Sequence, residues 1–177
     1  MSGPGSLEIV PLDRAIHDRA AFTCGKEPLD RYLHEQAHQD AKRSVAATFV
    51  AVRTGDPRIR GYYTLSQSSV LLTGLPPQQQ KRLPRYPDVP VTMLGRLAVA
   101  VIAQGAGVGS LLVGDACRRA AKVAAQVAST GVLVDAIDDD AVKFYRKFEF
   151  VPFPDTPRRL FLPMKTIQDV FTISASS

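Results

Sequence analysis

The sequence has little cysteine, no tryptophan and no long apolar run. Only two of the 177 residues are cysteines, Cys24 and Cys117, in a chain large enough to build a core without a disulfide. We interpret both as buried or idle thiols in a reducing compartment, which predicts a cytoplasmic protein. No stretch approaches the roughly 20 apolar residues that span a bilayer, and no secretory leader opens the chain, so we expect no membrane association.

Length and composition favour one domain. Hydrophobic residues make up 45% of the chain, enough for a single core. Residues 1–6 lack apolar periodicity and are interpreted as the remnant of an expression tag, so we expect the domain over residues 7–171 and a tail over 172–177. The net charge of +5 has two interpretations. The protein could bind a polyanion such as nucleic acid, or it could be a soluble enzyme whose modest excess of basic residues has no specific partner.

Hydrophobic periodicity and turn residues predict an α+β protein. Strand-forming residues and helical repeats alternate along the chain, and a proline-rich loop over residues 75–90 separates the two halves. The predicted strands cover residues 7–11, 47–52, 59–70, 91–101, 131–136, 150–151 and 159–162, and the predicted helices cover 27–43, 109–128 and 139–148.

A glycine-rich loop links the longest predicted strand to the longest predicted helix. Its sequence is Gln104-Gly105-Ala106-Gly107-Val108-Gly109. Glycines let a backbone approach a ligand closely, and N–H groups converge at a helix start, so the loop suits a pyrophosphate. It is not a Walker loop, because no Lys-Ser/Thr follows the last glycine. A dinucleotide-binding fold is also disfavoured, because Thr130-Gly131 occupies the position where that fold has an acidic residue.

This loop, preceded by Arg96-Leu97-Ala98-Val99, resembles the Gln/Arg-x-x-Gly-x-Gly/Ala signature of the GNAT acetyltransferases. A second match is Ala141-Val142-Lys143-Phe144-Tyr145, which resembles the late Ala-x-x-Phe-Tyr helix of that family. Phe148-Glu149-Phe150 follows it, with Glu149 where the family has glycine.

The resemblance implies a GNAT fold in a single domain, with a mixed central sheet splayed at the acetyl-CoA site and flanked by helices. Acetyl-CoA is the implied co-substrate, and no metal is implied. In this family the pantetheine lies along the strand and the pyrophosphate meets loop amides, and the Gln104 side chain is a candidate to assist them. The implied cofactor-binding residues are Leu97, Ala98, Val99, Gln104, Gly105, Ala106, Gly107, Val108, Gly109 and Ser110.

Tyr145 is the expected catalytic residue. The resemblance places a tyrosine at this element near the CoA sulfur, and a phenol with a pKa of about 10 stays protonated at neutral pH, so it can donate a proton to the leaving thiolate. No carboxylate lies in Val91–Arg96, where many family members keep a glutamate. An α-amine, with a pKa of about 7.7–8.0, needs such a base less than lysine does, so we expect an α-amine substrate.

Further segments resemble the GNAT toxins of type II toxin-antitoxin systems: Phe22–Gly25, Leu29–Leu33, Gly61–Ser66, Pro84–Pro87 and Pro157–Met164. The resemblance implies acetylation of the α-amino group on aminoacyl-tRNA, inhibition of translation, a ribbon-helix-helix antitoxin and a homodimer. The basic excess suits a tRNA backbone. Candidate substrate-binding residues are Arg96, Arg85, Lys42 and Arg43.

Two other functions stay open from the sequence. The chain could be a GNAT that acetylates protein N-termini or a small-molecule amine, or a non-catalytic subunit that binds acyl-CoA. Two smaller patterns favour structural roles. His34 and His38 have a metal-ligand spacing but no nearby partner, which favours a solvated pair, and Asp138, Asp139 and Asp140 suit the start of a helix.

Overall fold

The computed structural model describes residues 5–175, with side chains described as far as Val170. Most of the expected tag remnant and the end of the expected tail therefore lie outside the described residues. The contacts of the chain form two compact units. Unit 1 comprises the chain up to Ser66 together with Gly95–Ala116, and unit 2 comprises Gln67–Leu94 together with the chain from Cys117 onward. Among the described residues, no helix has both the length and the apolar character needed to cross a bilayer.

Seven strands form a mixed sheet in the order β1-β2-β3-β4-β5-β7-β6. The pairs β1–β2, β2–β3, β5–β7 and β6–β7 are antiparallel, whereas β4 and β5 are parallel over Thr92–Leu94. The mixed sheet confirms the predicted α+β class. The strands are β1 (Leu7–Pro11), β2 (Ala47–Arg53), β3 (Gly61–Leu71), β4 (Asp88–Val99), β5 (Gly131–Asp135), β6 (Val151–Pro152) and β7 (Arg159–Pro163).

Helices occur in all three predicted regions, with different bounds, and the structure adds α3 and α6. The helices are α1 (Glu27–Arg31), α2 (Ala37–Lys42), α3 (Pro77–Gln80), α4 (Val108–Ala124), α5 (Asp139–Arg146) and α6 (Met164–Ala175). Short 3₁₀ turns cover Leu72–Gly74 and Val101–Ala103. Helix α6 was not predicted, and it runs to Ala175, past residue 171 where we expected the domain to end.

The first predicted helix is interrupted by a π-helical turn, Tyr32–Gln36, between α1 and α2. Such turns occur often at functional sites because the wider helix reorients side chains. Tyr32 and Leu33 are buried in this turn. His34 lies there too, with Nε2 2.8 Å from the Phe22 carbonyl oxygen, so its expected role as a solvated residue was wrong.

Each unit has its own core. In unit 1, aromatic rings pack across the strands, with Phe22 and Tyr62 at 5.5 Å and Phe49 and Tyr63 at 5.2 Å between centroids. In unit 2, seven buried apolar side chains form one cluster. These side chains are Val70, Leu75, Val89, Val91, Leu133, Phe153 and Phe161. The free Cys24 and Cys117 are both buried, as expected, and burial raises the pKa of each thiol.

The structure explains two features of the sequence around α5, the aspartate before the helix and the glutamate after it. Asp138 caps the helix, because its Oδ1 accepts a hydrogen bond of 2.8 Å from the Ala141 amide, as its position predicted. Glu149 has φ +70°, a left-handed conformation that side chains disfavour. The chain therefore keeps the backbone turn for which the family uses glycine, and accepts a strained glutamate in it.

Candidate functional site

The glycine loop between β4 and α4 has an alternating backbone. Gly105 and Gly107 have φ +81° and +82°, and Ala106 between them is not left-handed. Alternation of this kind turns successive N–H groups toward one side and forms a concave anion-binding nest. A Cβ at either glycine would meet nothing within 4 Å, so these glycines are required by conformation rather than by crowding.

Helix α4 adds its own free amides to this loop. The hydrogen bond that closes its first turn runs from the Leu111 amide to the Gly107 oxygen, at 3.2 Å. The amides of Val108, Gly109 and Ser110 therefore have no acceptor inside the helix. The 17-residue helix also directs the positive end of its dipole to this place, so the loop and the first turn together suit a diphosphate.

Gln104 has a different role from the one that the sequence suggested. Its Nε2 donates to the Cys24 carbonyl at 3.0 Å and to the Val99 carbonyl at 3.1 Å. Both amide hydrogens are thus engaged, and the remaining Oε1 is an acceptor that does not suit an anionic phosphate. The predicted assistance of this side chain to the pyrophosphate is therefore corrected: Gln104 fastens the loop to two neighbouring segments.

The end of β4 leads into this loop. Leu97 and Val99 are half-buried and Ala98 is buried. Next to them, the Arg96 amide donates to the side-chain hydroxyl of Thr64 at 3.0 Å. Leu97, Ala98 and Val99 remain the predicted pantetheine strand.

Gly61 lets α4 lie close to the sheet in unit 1. A Cβ on Gly61 would lie 2.9 Å from Leu112 Cδ1, 3.0 Å from the Ala98 oxygen and 3.2 Å from Val108 Cγ1. The first distance is shorter than real Cβ contacts and the other two are tighter than most of them, so a side chain here would require its neighbours to shift by a few tenths of an ångström. In the sequence Gly61 stood out only as part of a resemblance, and this role was not predicted.

Arg96 is held in place by an aromatic ring. Its guanidinium carbon lies 3.6 Å from the ring centroid of Tyr32, a cation–π contact. The Tyr32 hydroxyl donates to Asp40 at 2.9 Å, and Gln36 donates to the other oxygen of that carboxylate at 2.9 Å. Burial, and then the bond to Asp40, raise the pKa of Tyr32 to about 12, so the phenol stays protonated. The π-helical turn brings Tyr32 and Gln36 to this network, which sequence periodicity could not reveal.

Tyr145 belongs to unit 2, on α5. It is 6% exposed, and its ring packs edge-on against Phe144 at 5.3 Å and Phe150 at 5.5 Å. Its hydroxyl has no hydrogen-bond partner among the described residues. Burial raises the pKa of this phenol above its usual value, which keeps the proton on the oxygen at neutral pH and above.

The other predicted cationic residues are dispersed. Lys42 and Arg43 are exposed at the end of α2 in unit 1, and Arg85 is exposed on the loop before β4 in unit 2. Two further basic residues, Arg158 and Arg159, have acidic partners, Asp139 at 3.2 Å and Asp135 at 2.8 Å. The pair at 158–159 is therefore neutralised locally, whereas Arg96 is the predicted substrate-binding residue with the most defined surroundings.

Comparison with known proteins identifies the family. The model of the acetyltransferase (GNAT) family matches residues 14–150, more than half of the chain. The chain belongs to the GNAT acetyltransferase family. The match includes both the glycine loop and Tyr145, and it confirms the predicted fold and the predicted acetyl-CoA-dependent N-acetyltransferase activity of this GNAT protein.

Relatives of this GNAT protein include named toxins. A tRNA-acetylating toxin of Mycobacterium tuberculosis is 36% identical over 148 residues, which cover 84% of this chain and 87% of the relative. A solved structure of a Tyr-to-Phe variant of KacT has a TM-score of 0.86 at 32% identity, covering 93% of this chain and 98% of that one. AtaT complexed with acetyl-methionyl-tRNAfMet has a TM-score of 0.86 at 30% identity, covering 94% and 99%. AtaTR has also been solved with acetyl-CoA, AtaT with the C-terminus of the antitoxin AtaR, and KacTA with DNA.

We expect Gly61→Ala to weaken both the fold and the cofactor site of this GNAT protein. The added methyl would push against the Ala98 carbonyl and the first turn of α4, at a cost of about 1–3 kcal/mol in the free energy of unfolding. Because that turn carries amides that are predicted to hold the diphosphate, we expect the affinity for acetyl-CoA to fall as well. Urea titration and calorimetry measure the two effects.

Gly114→Ala is the matched control for this substitution. Gly114 lies in α4, and a Cβ there would meet nothing within 4 Å. Alanine should raise the free energy of unfolding by about 0.5–1 kcal/mol and leave acetyl-CoA affinity unchanged. Equal affinity in the Gly61 and Gly114 variants would contradict the proposed role of the close packing at Gly61.

Proposed function

We propose that this enzyme transfers the acetyl group of acetyl-CoA to the α-amine of aminoacyl-tRNA and thereby stops translation, as a toxin. The observation that carries the proposal is the alternating glycine backbone at the start of α4, which forms an anion nest suited to a diphosphate. The tRNA-acetylating relative and the tRNA complex of AtaT support the choice of acceptor.

The acceptor chemistry also favours an α-amine. No aspartate or glutamate lies in Val91–Arg96 of β4, so this segment has no carboxylate that could take a proton from a lysine side chain. The α-amine of an aminoacyl ester is substantially neutral near pH 8 and can attack without such help. The acceptor, an aminoacyl-tRNA, carries the negative charges of its phosphates, and the net charge of +5 on the protein would attract it.

In the proposed reaction the amine nitrogen attacks the thioester carbonyl, the C–N bond forms and the C–S bond breaks. The main-chain amides from Gly105 to Ser110 hold the diphosphate. Tyr145 gives its phenolic proton to the departing thiolate, and the proton released by the new amide nitrogen passes to solvent, from which the phenolate is reprotonated. The raised pKa of Tyr145 keeps the donor in its acid form throughout the neutral range.

We assign Arg96 to the acceptor side, where its guanidinium, fixed over Tyr32, would contact the ester end or the terminal phosphates of the tRNA. Arg85, Lys42 and Arg43 are proposed as further phosphate contacts. We also propose a cytoplasmic homodimer, which extends the basic surface for a ligand as large as tRNA, and a ribbon-helix-helix antitoxin. The complex of AtaT with the C-terminus of its antitoxin supports an antitoxin partner as such.

A cell-free translation assay tests the function. Purified enzyme with acetyl-CoA should stop synthesis, and mass spectrometry should find acetylated amino acid on the tRNA. Enzyme without acetyl-CoA is the control. Unchanged translation together with acetylation of free peptide N-termini or small amines would replace the toxin function with one of the other GNAT functions. Light scattering tests the dimer, and a monomer at micromolar concentration would contradict it.

A further inference from the structure

The loop between β3 and β4 exposes an aromatic ring beside a groove. Tyr86 is 67% exposed, although a tyrosine ring carries a large apolar area. The groove has a volume of about 750 Å³ and is lined by Leu72, Leu83 and Pro87 as well as by Lys81, Arg85 and Tyr86. This volume lies within the range of about 300–1,000 Å³ that is usual for small-ligand sites, and all its residues belong to unit 2.

The loop that carries Tyr86 also carries cations without acidic partners. The segment from Leu72 to Pro87 contains Lys81, Arg82 and Arg85 and no aspartate or glutamate. All three are exposed, and within the described part of the chain none of them forms an ion pair. Unneutralised cations next to an apolar surface favour a ligand that offers both negative charge and a flat ring.

The backbone of the loop that carries the ring and the cations is braced by hydrogen bonds. Gln80 Nε2 donates to the Leu75 oxygen at 2.7 Å and to the Thr73 oxygen at 3.2 Å. The Leu72 amide donates to the Pro87 oxygen at 3.0 Å, which closes the two ends of the loop. Leu72 and Leu83 pack against the core cluster of unit 2. A ligand at this groove would therefore meet a preformed surface, which lowers the entropy lost on binding.

We propose that this groove binds an unpaired nucleotide of RNA, with its base stacked on Tyr86 and its flanking phosphates held by Lys81, Arg82 and Arg85. The proposal rests on the proposed function, because the amino acid of a charged tRNA is carried on an unpaired 3′ end. Aromatic rings that stack on unpaired bases next to Lys and Arg are a general mode of RNA recognition. An acidic peptide would use the cations but would gain little from the ring face.

A short single-stranded RNA that carries 2-aminopurine tests the stacking. Its fluorescence should be quenched on binding to the full-length protein. Tyr86→Ala should weaken binding by about 5- to 100-fold and remove the quenching, whereas Tyr86→Phe should retain both. Alanine at Lys81, Arg82 or Arg85 should reduce the slope of log affinity against log salt by about one for each residue. Leu71→Ala is the matched control, since Leu71 is an apolar residue that is 59% exposed and lies outside the groove lining, and it should bind RNA normally.

Two results would overturn the proposal. One is equal RNA affinity in the Tyr86→Ala and Leu71→Ala proteins, and the other is a loss of antitoxin binding in Tyr86→Ala with RNA binding intact, which would assign the groove to a protein. The RNA measurement uses neither acetyl-CoA nor a charged amino acid, so it is independent of catalysis. With charged tRNA, Tyr86→Ala should raise KM and leave kcat unchanged, whereas failure of the proposed function would show as no acetylation of charged tRNA by the wild-type protein.

Discussion

Replacing Tyr145 with phenylalanine is expected to lower kcat for acetyl transfer by about 100- to 10,000-fold, the usual contribution of a general acid. The hydroxyl has no hydrogen-bond partner among the described residues, so its removal leaves no polar group unsatisfied. The ring keeps its packing against Phe144 and Phe150. The loss should therefore appear in turnover, with little change in the free energy of unfolding or in acetyl-CoA affinity.

Tyr63→Phe is the control for loss of a buried tyrosine hydroxyl. Tyr63 is fully buried and its hydroxyl donates to the Asp115 carboxylate. Removing that bond should cost about 1–3 kcal/mol of stability because it involves a charged partner, while the folded molecules keep their turnover. Thiol release from acetyl-CoA with charged tRNA measures kcat for both variants. Normal turnover in Tyr145→Phe would remove this phenol from the mechanism.

The bounds of helices and strands were predicted most accurately where neighbouring residues in the sequence determine them, such as a capping residue or a run of strand-forming residues. Leu7–Pro11 is an observed strand with the predicted bounds, and Asp138 caps α5 where its position indicated. The end of α4 was predicted four residues too late, because the alanine-rich stretch after Ala124 continues a helical composition without a stop signal. Helix α6 was missed, since Met164 follows β7 directly and no capping residue or turn marks its start.

Gly107→Ala is expected to lower the affinity for acetyl-CoA by about 10-fold. A side chain in the left-handed region costs about 1–2 kcal/mol, and at φ +82° this strain is relieved only if the peptide rotates. Rotation would turn an amide of the nest away from the diphosphate. The expected loss in binding free energy is therefore about as large as the strain, and calorimetry with acetyl-CoA measures it.

Gly55→Ala is the control that separates a loss of acetyl-CoA affinity at the glycine loop from the effect of backbone strain alone. Gly55 also has φ +82° and nothing within 4 Å of a Cβ, but it lies in the turn between β2 and β3. Its replacement should reduce the stability by a similar amount and leave acetyl-CoA affinity unchanged. If both variants bound acetyl-CoA like the wild type, the glycine loop would not be the diphosphate site.

In the candidate site, the sequence pattern indicated the glycine positions, whereas it did not indicate which residues contact the side chains. Glycine spacing is a local pattern, so Gly105 and Gly107 could be assigned from the order of residues alone. The partners of Arg96 could not, because Tyr32 and Asp40 lie more than fifty residues away and reach it only through a π-helical turn. Gln104 was misassigned for the same reason, since its bond to Cys24 spans eighty residues.

The proposed diphosphate site is made of main-chain amides, and this has a consequence for the mutations that would inactivate the enzyme. The exposed side chains of Ala106, in the loop, and Ser110, in the first turn of α4, are expected to contribute little to it, so most substitutions there should leave the proposed toxicity intact. Cells that survive expression of the protein should instead carry substitutions at Gly105, Gly107 or Gly61, where a side chain would alter the backbone conformation or its close packing. Backbone conformation, more than the identity of the side chains, should therefore determine which mutations abolish the activity.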